Sequence, residues 1–399
     1  MISFDEAYQI VLEQTKEYGS EMVPLKSAMG RVLAEDIQAD RDFPPFNRST
    51  KDGIAINYDS VENGRRSFEI QGTLPAGKPT IPFVDAEGCI EIMTGAKVPY
   101  ETDTIIMYEE VEIAHDIATI TNIPKRGQNI HLRGSDEKKG AILILKNTRI
   151  TSAEIGVLAT VGKHMVSVKK LPRVAVISTG NELVDIDQQP LMHQIRKSNS
   201  YSLYASLLDL GIIPMLLHIS DDKDLLRQKL GYVIEEMDIL ILSGGVSKGK
   251  FDFIPQIFKE LGVEKLFHKV AQRPGKPFWF GRKESSGTLI FSFPGNPVST
   301  FMNFYIYFKP WLYSSLGIPI IEYEVCLKDA FEITNDLTNF LGVHLERKGG
   351  INEASLIGAN GSGDLLSLSK MDGFIRVPST KRSYAKGDLI YFISTREGY

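Results

Sequence analysis

Between Pro172 and about Leu316, short apolar runs of strand character alternate with stretches of helical spacing, and that alternation leaves few folds open. "RVAVIS" is a β-branched run, and "NSYSLYASLLDLG" carries helical spacing with a glycine stop. "IIPMLLHIS" is a second strand, and "DDKDLLRQKLGYVIEEM" is a helix opened by acidic residues. "DILILS" is a third strand and "FIPQIFKELG" another glycine-stopped helix, before "TLIFSFPGNP" leads into "VSTFMNFYIYFKPWL". Strands joined through helices run parallel, with right-handed crossovers and helices on both faces. A central parallel-sheet α/β domain is expected, with its boundary near Leu171.

The flanks read differently. From about Asp42 to Gly140 the chain is rich in Gly and Pro and breaks into short runs such as "CIEIM", "TIIMYEEVEI" and "ATITNI", which predicts a small all-β domain. "SAEIGVLATVG", Ser152 to Gly162, reads as a capped helix. At the N-terminus Ser3 and Glu6 form a capping box, and Gly19 is the expected stop of that helix. From about Gly317 onward short runs return, "EYEVCLKD", "FIRVP" and "DLIYFIS", which predicts a second small β domain.

Composition excludes several classes of function. The 399 residues are enough for two to four domains. With 45 basic and 50 acidic residues the net charge is -5, so no global field draws in nucleic acid and any anion site must be local. The two cysteines, Cys89 and Cys326, fit neither a disulfide framework nor a zinc site, and a reducing cytoplasm suits them. The seven histidines make no HxxxH or HExxH pair, no signal peptide is visible, and no apolar run is long enough to cross a bilayer.

In open α/β sheets ligands sit outside the carboxyl ends of the strands. Three strands end in turns suited to that place: "ISTGNEL", "LSGGVSKGKFD" and "FPGNPVS". Glycine lets the backbone approach a ligand and point successive N–H groups into one concavity, a nest for phosphate. Pro297 suits the first helical position, which makes Asn296 the N-cap and turns that helix N-terminus toward the same crevice. In "AQRPGKPFWFG", Arg273 and Lys276 flank a Pro-Gly turn and hold two cations apart. Any one of these turns alone is an ordinary βα connection; several on one edge point to a binding site.

"GGVSKGKF" is a near-miss of the P-loop, with Phe251 where a Ser or Thr hydroxyl would ligate magnesium. Asp252 is the expected N-cap of the following helix, so that helix begins after Lys250. Acidic groups follow the first two turns as Glu182 and Asp252, and the β region offers Asp52 beside Gly53, Thr94 and Asp136. Separated carboxylates converging on one crevice could hold a divalent cation.

In this order, "FPPFNRSTKDG", "MTGAKVP", "HLRGSDEKKGAIL", "STGNEL", "RKSNSYSLYASLLDLG", "SGGVSKGKFDF", "RPGKPFWFG" and "FPGNPVS" resemble the MoeA/gephyrin family of molybdenum insertases, the molybdopterin molybdenumtransferases. The resemblance implies an α/β multidomain fold. Its parts are a central molybdopterin-binding domain (residues 1–20 and 168–316), a linking α/β segment (21–42 and 141–167), an inserted small β domain (43–140) and a C-terminal β-barrel-like domain (317–399). It implies a cytoplasmic homodimer with the site between subunits, and no contact with nucleic acid or membrane. The implied reaction takes adenylylated molybdopterin and molybdate as small-molecule substrates, cleaves the phosphoanhydride with a divalent cation such as Mg2+ and releases AMP. A molybdopterin adenylyltransferase and apo-molybdoenzymes are the implied protein partners.

Carried over by position, Ser243, Gly244, Gly245, Ser247 and Asp252 match the family's phosphate turn, and Pro274, Gly275 and Lys276 its PGKP, with Arg273 beside it. Pro294, Gly295, Asn296 and Pro297 match its PGNP, and Thr179, Gly180 and Glu182 its TG-acidic-E turn. Asp52, Thr94 and Asp136 match functional positions of the inserted domain. Asp52, Glu182 and Asp252 are the expected catalytic carboxylates and metal ligands, and the others are expected to bind substrate.

The family usually has aspartate where Asn47, Asn181 and Lys197 stand, an apolar residue at Lys51 and Lys248, and lysine at Arg273. Each change makes the crevice more positive. Two consequences compete: stronger attraction for dianions, or a poorly held magnesium in a degenerate, non-catalytic homologue that binds pterin or partner proteins as a scaffold.

Overall fold

The computed structural model describes residues 1–245, 253–358 and 360–396, and the chain divides into two compact units. One comprises Met1–Val23, Gly30–Ala34 and Ser167–Tyr399; the other comprises Pro24–Met29 and Glu35–Val166.

The first unit opens with helix α1 (Phe4–Leu12), capped by the Ser3–Glu6 box. It stops at Leu12 and not at Gly19, because its buried face ends with Phe4, Ala7 and Val11 and the chain then turns to other partners. Gln14 offers its carbonyl to the Trp311 indole at 2.8 Å, and the Lys16 amide donates to Ser315 Oγ at 3.3 Å.

The second unit is built on a six-stranded sheet of β1 (Gly53–Ile56), β2 (Ser67–Leu74), β3 (Cys89–Ile92), β4 (Thr104–Met107), β5 (Val111–Ala114) and β6 (Ile117–Ile120). Its spatial order is β4-β1-β3-β2-β6-β5. The expected single run "TIIMYEEVEI" is interrupted at Tyr108–Glu110 by a 3-10 turn, which ends β4 and starts β5. Gly53 is required by packing: a Cβ there would sit 1.9 Å from the Ile106 carbonyl oxygen across the β1–β4 pair. Helix α2 (Ser152–Thr160) starts at the Thr151–Glu154 capping box, as its sequence requires.

The core of the first unit is a second six-stranded sheet. Its elements are β7 (Val174–Thr179), α3 (Ser198–Asp209), β8 (Met215–Ile219), α4 (Lys223–Glu236), β9 (Ile239–Ser243), α5 (Ile254–Glu260), β10 (Glu264–His268), β11 (Trp279–Lys283) and β12 (Thr288–Phe293). The strand order is β8-β7-β9-β12-β11-β10. The first four are parallel, as the alternation predicts, but β11 runs antiparallel to both its neighbours, β12 and β10. The sheet is therefore mixed. Only residues 284–287 connect β11 to β12, too few for the crossover that a parallel pair needs.

Residues alternate between the two faces of this sheet, so both must be covered. Val174, Val176, Ile239, Ile241 and Phe291 pack with Phe4 and Val11 of α1, Leu203 and Leu207 of α3, and Trp311. Ala175, Ile177, Leu240, Leu242 and Ile290 pack with Leu226 and Leu230 of α4 and Ile257 and Phe258 of α5. Each large apolar side chain so buried contributes about 1.5–3 kcal/mol relative to exposure. After β12 the chain forms α6 (Pro297–Asn303), a π-helical turn at Phe304–Phe308, and α7 (Lys309–Ser315), without a break.

The C-terminal strands are β13 (Tyr323–Leu327), β14 (Thr338–Lys348), β15 (Ile351–Leu356), β16 (Gly373–Val377) and β17 (Leu389–Ser394). They pair in the order β14-β15-β13-β17-β16, and β16 returns to pair with β14. That return closes the five strands into a barrel, which removes their edges. Gln272 and Arg273 add a short parallel strand outside it, at Thr338 and Asn339 of β14.

Candidate functional site

The connections of the central sheet fix where a ligand can enter. From β7 the chain passes through α3 to β8 on one side, then returns through α4 to β9 on the other side of β7. The carboxyl end of β7 is therefore a topological switch point, where the helices on the two sides diverge and leave a crevice. Parallel register levels the strand ends: Ser178 of β7 lies beside Ser243 of β9, and Ser243 beside Phe293 of β12.

A cleft of about 300 Å³ opens there. From the end of β7 it is lined by Ser178, Thr179, Gly180, Glu182 and Leu183, and from the start of α3 by Lys197, Ser198, Asn199 and Ser200. Ser243, Gly244 and Gly245 come from β9, and Gly295 and Pro297 from the turn after β12; Ile195, Arg196 and Asp221 complete the wall. Thus eight sequence-predicted residues meet in one cleft: Thr179, Gly180, Glu182, Ser243, Gly244, Gly245, Gly295 and Pro297.

The glycines are required by shape. Gly244 and Gly245 have φ of 102° and 72°, a region in which side chains are strained. A Cβ on Gly245 would meet Ile254 Cδ1 at 2.2 Å, and one on Gly244 would meet the Thr179 carbonyl oxygen at 3.1 Å. Gly295 faces Gly244 Cα at 3.6 Å from its own Cβ position, so two turns approach backbone to backbone.

Asn199 ties these turns together. Its amide nitrogen donates to Ser243 Oγ at 2.8 Å and to the Gly295 carbonyl at 2.6 Å. Thr300 Oγ1 in turn donates to the Pro294 carbonyl at 2.5 Å. Asn199 was not among the residues expected at the site. Its signal was available: an uncharged amide in the first turn of a helix whose N-terminus faces strand ends.

Pro294 is buried beneath the turn and Asn296 is exposed, and neither lines the cleft. Asn296 does occupy the N-cap position of α6, but its amide reaches Ser362 Oγ at 2.8 Å and leaves the helix uncapped by a side chain. Arg273, Pro274, Gly275 and Lys276 also lie outside the lining. Their turn enters β11, whose Trp279 pairs with Ser292, so they share the sheet edge at which β12 ends. Gly275 is buried against Asn303, and Gln272 Nε2 donates to the Pro274 carbonyl at 3.2 Å and to Asn303 Oδ1 at 2.8 Å. Arg273 and Lys276 are exposed beside this buried anchor.

Ser247 and Asp252 lie outside the described residues. The helix after them opens at Ile254 with Phe253 in the N-cap position, where Asp252 was expected.

Asp52, Thr94 and Asp136 belong to the other unit. Asp52 Oδ1 accepts the Thr94 backbone N–H at 2.5 Å, and hydrogen bonds from Thr94 hold the Asp52 carboxyl below the usual carboxylate range. Asp136 Oδ1 meets His131 Nε2 at 2.7 Å, while Arg48 donates to His131 Nδ1. That donation assigns the ring proton to Nε2.

Lys248 lies outside the described residues, and three of the other substituted positions have structural partners. Asn47 Oδ1 accepts the Arg133 amide at 2.8 Å, and Asn181 Oδ1 accepts the Asp221 amide at 3.0 Å. Lys197 Nζ donates to Asp185 Oδ2 at 2.7 Å, and this ion pair lowers the Asp185 pKa.

Among the described residues no three His, Cys, Asp or Glu side chains converge as a metal centre. Among the described residues Glu182 and Asp221 are the carboxylates of the cleft lining. That donor set does not fit a resident metal held by protein alone. It fits only a cation that takes most of its oxygen from substrate phosphate and water. No helix among the described residues is long and apolar enough to cross a membrane.

Comparison with known proteins agrees along the chain. Residues 2–162 match the family profile of the MoeA N-terminal region (domain I and II), residues 175–314 a profile described as "Probable molybdopterin binding domain", and residues 324–394 the MoeA C-terminal region (domain IV). A molybdopterin molybdenumtransferase of Synechocystis sp. is 37% identical, the match covering 98% of this chain and 99% of that protein. One from Bacillus subtilis is 33% identical over 99% of this chain and 94% of its own. The crystal structure of a molybdopterin biosynthesis moeA protein from Pyrococcus horikoshii superposes with a TM-score of 0.84 at 29% identity, covering all of both chains.

Proposed function

The chain belongs to the MoeA family, and from that premise we propose that it takes adenylylated molybdopterin and molybdate, cleaves the phosphoanhydride, releases AMP and leaves molybdenum on the pterin dithiolene. It is a molybdopterin molybdenumtransferase and its place is in molybdenum cofactor biosynthesis.

One observation carries the finer reading: glycine turns from three parallel strands and the first turn of α3 open on a single cleft. Backbone N–H groups in glycine turns suit the phosphates of a nucleotide-linked pterin, whose charge they meet without a side chain in the way. Arg273 and Lys276, held by a buried turn on the same sheet edge, are the proposed contacts for the more distant anionic groups. Thr94, Asp136 and the carboxylate of Asp52 are proposed as further contacts, supplied by the inserted β domain of the other subunit of the homodimer.

A divalent cation, Mg2+ by its preference for phosphate oxygen, would meet Glu182 in the cleft, with Asp52 and Asp252 as the further proposed ligands. When bound it would neutralise charge on the phosphoanhydride. The protein's own part is to hold the phosphates on N–H donors and to keep the cleft turns rigid through Asn199.

The four-part division, the homodimer with its intersubunit site, the cytoplasmic setting, and an adenylyltransferase and apo-molybdoenzymes as partners belong to the same reading. The purified chain should release AMP from adenylylated molybdopterin in a molybdate- and Mg2+-dependent manner and should reconstitute an apo-molybdoenzyme. Pterin binding without AMP release or reconstitution would replace this reading with the scaffold.

A further inference from the structure

Lys197 stands where a helix disfavours a cation. It is the N-cap residue of the twelve-residue helix α3, no side chain caps that helix, and its first turn forms part of the cleft wall. The N-cap position selects Asn, Asp, Ser or Thr, whose oxygens accept the free N–H groups. A positive charge there adds to the positive end of the helix dipole. The neighbouring Asn199 does not relieve this, because its amide is committed to Ser243 and Gly295.

The Lys197 side chain is also largely withdrawn from water. It is 11% exposed, and Asp185, 49% exposed, is its ion-pair partner at 2.7 Å. Among the described residues Asp185 takes one of the three ammonium donors and leaves two. Asp185 itself is not part of the cleft lining.

A second, independent feature points into the same space. Thr179 is 5% exposed and lines the cleft, and its Oγ1 is buried without a hydrogen-bond partner among the described residues. That oxygen lies 3.2 Å and 3.1 Å from where Cβ atoms on Gly244 and Gly245 would be. A buried hydroxyl left unpaired costs free energy, so this one calls for a water, an ion or a ligand group as its partner.

We propose that Lys197 is a specificity-determining residue. With the first-turn N–H groups of α3 and the Thr179 hydroxyl, it receives a doubly charged tetrahedral oxyanion, a phosphoryl group, in the cleft. The inference deepens the reading of the cleft given above and rests on it. A carboxylate at position 197 would repel such a group; the ammonium draws it in at little desolvation cost to itself, since burial and the Asp185 pair have already fixed the side chain.

Titration calorimetry of the full chain with inorganic phosphate and with pyrophosphate tests it. The wild type should bind both, and Lys197→Gln and Thr179→Val should each weaken binding, the former about tenfold or more. Lys197→Arg should stay within about threefold and show that the fold tolerates a change at this position. Asp185→Asn should bind at least as tightly as wild type. Absence of phosphate binding by the wild type, or wild-type affinity in Lys197→Gln, overturns the inference.

Pterin fluorescence separates the two levels. Full molybdopterin affinity in Lys197→Gln alongside unchanged phosphate binding sinks the role of Lys197 and leaves the parent reading intact. Lysine-dependent phosphate binding without molybdopterin binding keeps the anion subsite and removes the parent reading.

Discussion

The amide of Asn199 donates to the hydroxyl of Ser243 at 2.8 Å, across 44 residues of sequence, and so fastens the first turn of α3 to the last residue of β9. The same amide holds the Gly295 carbonyl, so one side chain sets the spacing of two cleft-lining turns. Replacing it by alanine strands a partly buried hydroxyl and a carbonyl. Asn199→Ala should cost about 1–3 kcal/mol, or a fall in Tm of a few degrees, and should weaken pterin binding. Thermal denaturation and a fluorescence titration check both; an unchanged affinity would mean that the turns keep their spacing without the clamp.

Gly245 and Gly349 make a controlled pair. Both have positive φ, 72° and 58°, but a Cβ at Gly245 would collide with Ile254, whereas nothing lies within 4 Å at Gly349. Gly349→Ala should show only the backbone penalty, about 1–2 kcal/mol. Gly245→Ala should cost more and also lower pterin affinity, because the Ile254 side chain at the start of α5 must move aside. Denaturant midpoints for the two variants decide it.

Asp52 gives a pH dependence whose sign follows from its depressed pKa, caused by the hydrogen bonds from Thr94. Stability gained from this bond is fully present above the ordinary aspartate value and is lost as pH falls through the lower folded value. Asp52→Asn should therefore be less stable than wild type at neutral pH, and the difference should shrink as pH falls below about 4. Denaturation of both forms between neutral and acidic pH measures it; a constant difference would assign the loss to packing.

Burial pushes the Cys89 thiol up to about 12, and its side chain is enclosed, whereas Cys326 is partly exposed. Alkylation at mildly alkaline pH should modify Cys326 first and reach Cys89 only on unfolding. Peptide mass mapping after graded exposure gives the order.

Much of this was legible before the structure. The strands and helices of the central domain could be read because period and glycine stops recur there, and the turns at Thr179, Ser243 and Gly295 could be placed because parallel strands end on one side. The antiparallel pairing of β11 with β10 and β12 escaped that reading, since strand direction depends on connection length and not on residue pattern. Asn199 escaped as a partner in the site because helix spacing describes the apolar face of α3 and is silent about what its first turn meets, whereas Lys197 could be placed at the crevice from its position in the family's motif. The PGKP turn was legible as a rigid pair of cations, but its distance from the cleft is set by the buried contacts of Gln272 and Asn303.

The level ends of β7, β9 and β12 limit how this molecule can vary. Adding one residue within β9 would carry Gly244 about 3.3 Å onward and turn Ser243 to the opposite face of the sheet, out of reach of Asn199. Descendants of this chain can therefore exchange side chains around the ligand, or lengthen the loops beyond it, but they inherit the strand lengths unchanged.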